Sequence, residues 1–223
     1  MKFLPTTKEE MKSLGWDSID VLLISGDTYL DTSYNGSALI GKWLVEHGFK
    51  VGIIAQPEVD VPDDITRLGE PNLFFAVSGG CVDSMVANYT ATKKRRQQDD
   101  FTPGGENNKR PDRAVLVYSN MIRRFFKGTT KKIVISGIES SLRRITHYDY
   151  WTNKLRKPIL FDAKADILSY GMGEMSMLQL ANALKNGEDW QNIRGLCYLS
   201  KEPREDYLSL PSHSDCLADK DKF

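Results

Sequence analysis

The sequence predicts an α/β protein: a doubly wound, mainly parallel five-stranded sheet with helices on both faces, plus one extra strand toward the C-terminus. Two observations carry this expectation. Short apolar, β-rich runs alternate with segments of helical periodicity along the chain, the pattern of strands joined by helical crossovers. The strand runs are apolar almost throughout, as happens where both faces of a parallel sheet are covered.

The elements follow in order. The first strand run is 19–26 (IDVLLISG), and a helix is expected over 35–48. Asn35 is placed to cap that helix and Gly48 to end it, while Leu39, Ile40, Trp43 and Leu44 recur at helical spacing. A second strand run spans 49–57. The short segment 62–69 (PDDITRLG) has Pro early, two acids in its first turn and Gly at its end, the punctuation of a helix. A third strand run covers 72–80. Residues 81–113 have loop composition, and a loop of that length inside a compact domain is often functional. Within it, KKRRQQDD at 93–100 reads as a solvated helix face whose charges cancel. A helix over 113–128 carries Arg123, Arg124 and Lys127 near its end, where cations suit the helix dipole. Strand 131–137, a polar run, strand 165–171, a helix over 174–186 closed by Gly187, and a last strand at 193–200 complete the series.

Composition bounds the function. The chain has 223 residues, with 40% hydrophobic and 27% charged, which is globular. Thirty basic and thirty acidic side chains cancel, so no overall field recruits nucleic acid or anionic lipid, and neither a nucleic-acid partner nor a membrane is expected. No apolar run approaches the length of a membrane-spanning helix. Cys81, Cys197 and Cys216 are odd in number and widely spaced, which fits neither a disulfide framework nor a zinc site and leads us to expect a cytoplasmic protein.

Ligands of open parallel sheets bind outside the carboxyl ends of the strands, so the residues after each strand are the candidates. They are Gly26 and Asp27 after the first, Ser78, Gly79 and Gly80 after the third, Gly137 and Glu139 after the fourth, and Gly171, Gly173 and Glu174 after the fifth. One glycine turn is ordinary punctuation; four on one edge make a ligand cleft. The run SLRRITHYDYW adds Arg143, Arg144 and His147. Paired arginines suit bidentate recognition of phosphate or carboxylate; the structural alternative is that Asp149 pairs with an arginine and the aromatics of the run cover the domain's underside. No residue is assigned a catalytic, cofactor-binding or metal-ligating role.

The order of strand, GIESS, helix, strand, GMGE, helix and IRGLCY resembles the cobalamin-binding-like (flavodoxin-like) domain that precedes the barrel of many radical-SAM enzymes. LGWDSIDVLLISGDTYLD, FTPGG, KRPDRAVLVYSNMIRRFFKG, GIESSLRRITHYDYW and DAKADILSYGMGE resemble the N-terminal domain of YgiQ-like radical-SAM proteins over nearly the whole chain. Ser136 stands where that family usually has glycine, and Ser140 where it has alanine; both are small. The resemblance implies a domain at 1–200 and a linker at 201–223 toward a radical-SAM barrel absent from this sequence. It implies a parent with a [4Fe–4S] cluster and S-adenosylmethionine acting on an unknown substrate, and a fragment that is not catalytic by itself. The cysteine spacing cannot hold such a cluster. Cobalamin is not expected either, because Asp27-Thr28-Tyr29-Leu30-Asp31-Thr32 lacks the histidine of the cobalt-ligating motif. The alternative is a stand-alone nucleotide- or phosphate-binding module using the glycine turns and Arg143/Arg144.

Overall fold

The computed structural model describes residues 3–30 and 35–223, so Asp31 and Thr32 of the stretch after the first strand lie outside the described residues. In chain order the elements are α1 (Lys8–Ser13), β1 (Val21–Ser25), α2 (Gly36–Glu46), β2 (Val51–Ala55), α3 (Pro62–Thr66), β3 (Phe74–Ser78), α4 (Ser84–Asn88) and α5 (Ala114–Phe125). They continue with β4 (Lys132–Ser136), α6 (Gly137–Leu142), β5 (His147–Asp149), β6 (Lys154–Arg156), α7 (Ile159–Ala163), β7 (Ile167–Ser169), α8 (Glu174–Asn186), β8 (Leu196–Tyr198) and α9 (His213–Ala218).

The sheet runs β2-β1-β3-β4-β7-β8. Its first five strands are parallel and β8 pairs antiparallel with β7, so the expected five parallel strands and one extra are all present. Because β1 lies between β2 and β3, the chain reverses its winding there, and a crevice opens at the carboxyl ends of β1 and β3.

Side chains alternate across the strands. Val21, Leu23, Phe74 and Ala76 face one layer with Leu44 of α2 and Met177, Leu180 and Ala181 of α8. Leu22, Ile24, Phe75 and Val77 face the other with Ile65 of α3, Val115, Tyr118 and Ile122 of α5, and Leu160 of α7. Both faces are therefore dry, which is why the strand sequences show no polar alternation.

Helix ends follow local chemistry. Asn35 Oδ1 accepts from Ala38 N at 2.9 Å, capping α2, and α8 ends at Gly187 in the left-handed region.

Three segments differ from expectation. KKRRQQDD forms no helix: Tyr89 bridges Arg95 and Gln98 bridges Glu106. The backbone partners there come from across the loop, with Asn107 Nδ2 donating to Asn88 O and Arg96 O at 3.1 and 3.0 Å. Such tertiary satisfaction replaces the helical ladder and leaves no periodic trace in sequence. Residues 81–113, expected to be irregular, contain α4. The polar run after β4 divides into α6 and the β5–β6 hairpin. At the C-terminal end, α9 carries a capping box on Ser212 and buries Cys216.

Candidate crevice at the carboxyl edge of the sheet

Four central strands end in serine. Ser25 pairs in register with Ser78, and Ser78 with Ser136, while Ser169 ends β7. These serines floor a cleft of about 440 Å³. Its walls are the α2 start at Asn35, Gly36 and Ser37, the apolar Leu39, Ile40, Ile138, Met172 and Met177, and the turn Gly171–Glu174. Asp27, Ser78, Gly80, Gly137, Gly171, Gly173 and Glu174 of the expected set line it, and Cys81 joins them.

Backbone packing at the switch point is close. Gly26 N donates to Ser78 O at 2.9 Å, and a methyl group on Gly26 would overlap the Gly79 carbonyl. Gly26 and Gly79 thus bring β1 and β3 together beneath the cleft instead of lining it.

The electrostatic centre is a residue that sequence reading did not single out. Arg110, from the expected loop, has a fully buried side chain. Its Nη1 lies 2.7 Å from Asp27 Oδ1 and donates to Gly79 O at 3.0 Å, and its Nη2 reaches Asp99 at 3.2 Å. Asp27 Oδ2 accepts from Cys81 N at 2.6 Å, and Asp99 Oδ2 from Thr102 Oγ1 at 2.8 Å. Gln56 Nε2 donates to Thr102 Oγ1 at 2.7 Å and to Gly26 O at 3.0 Å. The FTPGG loop is thereby sewn to the ends of β1 and β2. Asp27 is neutralised from behind, and no lysine, arginine or histidine lines the cleft among the described residues. Burial, with Asp27 beside it, pushes the Cys81 thiol up to about 12, so it stays protonated.

The remaining candidates lie elsewhere. Glu139 is buried below the crevice, where Oε2 accepts from Ser84 N at 3.0 Å and Oε1 from Val115 N at 3.2 Å, joining the starts of α4 and α5. Arg143 forms an ion pair with Asp83 and donates to Glu139 O at 3.0 Å. Arg144 turns away, donating to Ser141 O at 2.6 Å with its guanidinium 5.3 Å from the Tyr170 ring. The two arginines do not form one anion fork. His147 lines a separate small recess with Arg113 and Arg156, and burial with the nearby Arg143 holds it below the ordinary histidine range.

Burial, reinforced by Asp83, raises the Glu139 carboxyl. A carboxyl raised in the folded state binds its proton more tightly there than in the unfolded chain. Stability from this source is complete below the unfolded value and is lost as pH rises through the folded one. The stability difference between the parent and Glu139→Gln should therefore shift against the parent across that window. Denaturant titrations of both proteins at a series of pH values measure it, and parallel profiles would remove Glu139 as the titrating group.

The sheet order and the crevice at its switch point define a doubly wound α/β domain. A family model described as Radical SAM N-terminal matches residues 3–223, and the chain belongs to that family. It is 95% identical over its full length to a UPF0313 protein of Fusobacterium nucleatum, covering 39% of that protein. It is 53% identical over 99% of its length to one from Thermotoga neapolitana, again 39% of that protein. It is 49% identical over 99% of its length to one from Methanocaldococcus jannaschii, covering 38%. The chain thus spans about two fifths of the length of these three relatives. Among solved structures, its fold is similar to TsrM, a radical S-adenosylmethionine methyltransferase from Kitasatospora setae with cobalamin and a [4Fe-4S] cluster bound. The TM-score is 0.55 at 16% identity, over 82% of this chain and 28% of that one. The resemblance read from GIESSLRRITHYDYW and GMGE is borne out. Among the described residues no helix is long and apolar enough to cross a membrane.

Proposed function

We propose that the chain is the N-terminal accessory domain of a radical-SAM enzyme, with residues 1–200 forming the α/β domain and 201–223 leading toward the catalytic barrel of the same parent. The match of the Radical SAM N-terminal model to residues 3–223 carries this reading, and the greater length of the relatives supports it. In such a parent a [4Fe–4S] cluster and S-adenosylmethionine supply reductive cleavage and hydrogen abstraction. Thiolates must hold that cluster. Cys81 at the cleft, Cys197 in β8 and Cys216 in α9 sit on three separate elements, so our reading assigns the cluster ligands to the barrel.

The crevice suits the uncharged part of a substrate or accessory ligand. Its floor offers hydroxyls, its walls carry Leu39, Ile40, Ile138, Met172 and Met177 beside the polar Asn35, Ser37 and Glu174, and its one buried carboxylate is already paired. Ile138 and Met172, 45% and 84% exposed, stand at its mouth and give the barrel an apolar surface to cover. Our reading leaves cobalamin out on the missing cobalt-ligating histidine of the sequence alone; TsrM, similar in fold, has cobalamin bound, and cobalamin uptake by the 223-residue chain would overturn this part. The phosphate-binding alternative loses its cations, because Arg143 and Arg144 lie outside the cleft. The test is anaerobic reconstitution with iron and sulfide. The full-length parent should take up a stoichiometric cluster and cleave S-adenosylmethionine, while the 223-residue chain stays colourless. A full-length parent without cluster absorbance would overturn the proposal.

A further inference from the structure

The expectation of no nucleic-acid partner rests on the balanced charge of the whole chain, and KKRRQQDD reads as a solvated face whose own charges cancel. In three dimensions they separate. Of its two acids, Asp99 turns inward and is consumed by Arg110 while Asp100 stays exposed, against four exposed cations, Lys93, Lys94, Arg95 and Arg96. Most of these cations spend their donors on neutral acceptors. Lys93 Nζ donates to Tyr150 O and Trp151 O at 3.1 and 3.3 Å, and Arg96 Nε to Val86 O and Tyr89 O at 3.2 and 3.1 Å. The Lys94 side chain has no hydrogen-bond or ionic partner among the described residues. Arg95 alone of the four meets a carboxylate, Asp112 at 3.5 Å. The charge of the loop therefore survives folding.

The same loop rests on aromatic rings. Tyr89 and Trp151 have centroids 5.0 Å apart, and Tyr150 packs edge-on against Trp151 at 5.6 Å. Lys93 Nζ sits 4.6 Å from the centre of the Tyr150 ring, yet Tyr150 remains 48% exposed. Lys93 holds this place with φ of +63°, a left-handed backbone that glycine or asparagine adopts more cheaply. Exposed cations beside a half-exposed tyrosine ring are a combination that binds single-stranded nucleic acid: phosphates meet the cations, and a base stacks on the ring once Lys93 turns from it to a phosphate. An acidic peptide would satisfy the cations and leave the rings unused.

We propose that the 93–96 loop and the tip of the β5–β6 hairpin form a binding surface for single-stranded nucleic acid, independent of the crevice and of the function assigned to it. The probes are fluorescent uridine and thymidine homopolymers of about 20 nucleotides, a duplex of the same length and heparin, each titrated by anisotropy onto the 223-residue chain. Single strands should bind more tightly than duplex. Log affinity should fall with log salt with a slope of about −2, as about three phosphate contacts give at roughly −0.7 each. The uridine and thymidine arms separate RNA from DNA. K93E/K94E should weaken homopolymer binding at least about tenfold, and Tyr150→Leu should weaken homopolymers while sparing heparin. If the double variant melts early, Lys94→Glu alone should give about a threefold loss, since its side chain supports nothing. No single-strand binding at low salt, full binding by Lys94→Glu, or equal binding of heparin and homopolymer by Tyr150→Leu and the parent would each overturn the proposal.

Discussion

Replacing Arg110 with methionine is expected to cost about 3–5 kcal/mol of folding stability, because it strands Asp27 and Asp99 as uncompensated buried charges. Typical domains hold only about 5–15 kcal/mol in total, so the loss is about a fifth or more. Methionine fills similar space, which isolates charge from packing. Urea titration should show a much lower midpoint with an unchanged slope. Adding Asp99→Asn to Arg110→Met should recover part of the loss, since a neutral amide needs no counter-charge. An Arg110→Met protein as stable as the parent would show that the triad contributes no net support. The crevice should suffer too, because Asp27 holds Cys81 N and Arg110 holds Gly79 O.

Gly26→Ala is expected to cost about 3 kcal/mol, the upper range for overpacking. The new methyl group meets backbone, not the end of a side chain, and the Gly79 carbonyl it would overlap is itself fixed by Arg110. The strands can relieve that clash only by parting at Gly26 N–Ser78 O. Gly36→Ala is the matched control: nothing lies within 4 Å of the added methyl group, and alanine favours the helix it starts. That variant should be as stable as the parent or slightly more so. Equal midpoints for both alanine variants would refute close approach as the reason for Gly26.

Much of this fold was legible in the chain. Parallel strands read as apolar runs because both faces are covered, and α8 was bounded correctly because Glu174 opens it and Gly187 closes it. The rule that ligands meet strand ends found Asp27, Ser78, Gly137 and Gly173 beside one cleft. Long-range polar pairing was not legible. Nothing near Arg110 in sequence distinguishes it from the exposed arginines, because its burial depends on carboxylates from β1's end and from its own loop. Arg143 and Arg144 illustrate the converse error. Adjacent residues at the end of a helix point in different directions, so a sequence doublet need not be a spatial pair.

Two of the four strand-end serines can turn either way, while Ser169 Oγ is engaged with Ser176 Oγ at 2.8 Å and Ser136 Oγ donates to Val77 O at 3.5 Å. Ser25 Oγ accepts from Asp27 N at 3.1 Å and Ser78 Oγ from Gly80 N at 3.2 Å, and each hydroxyl keeps a proton to give and a lone pair to offer. Rotation about one C–O bond turns such a group from donor to acceptor with no heavy atom displaced. A floor of this kind can greet an amide, a hydroxyl or a carbonyl in turn. If the crevice binds a ligand as proposed, selectivity falls to the walls, where Leu39, Ile40, Ile138 and Met172 line the space. On our proposal, exchanging those side chains would retune what enters without rebuilding the sheet beneath.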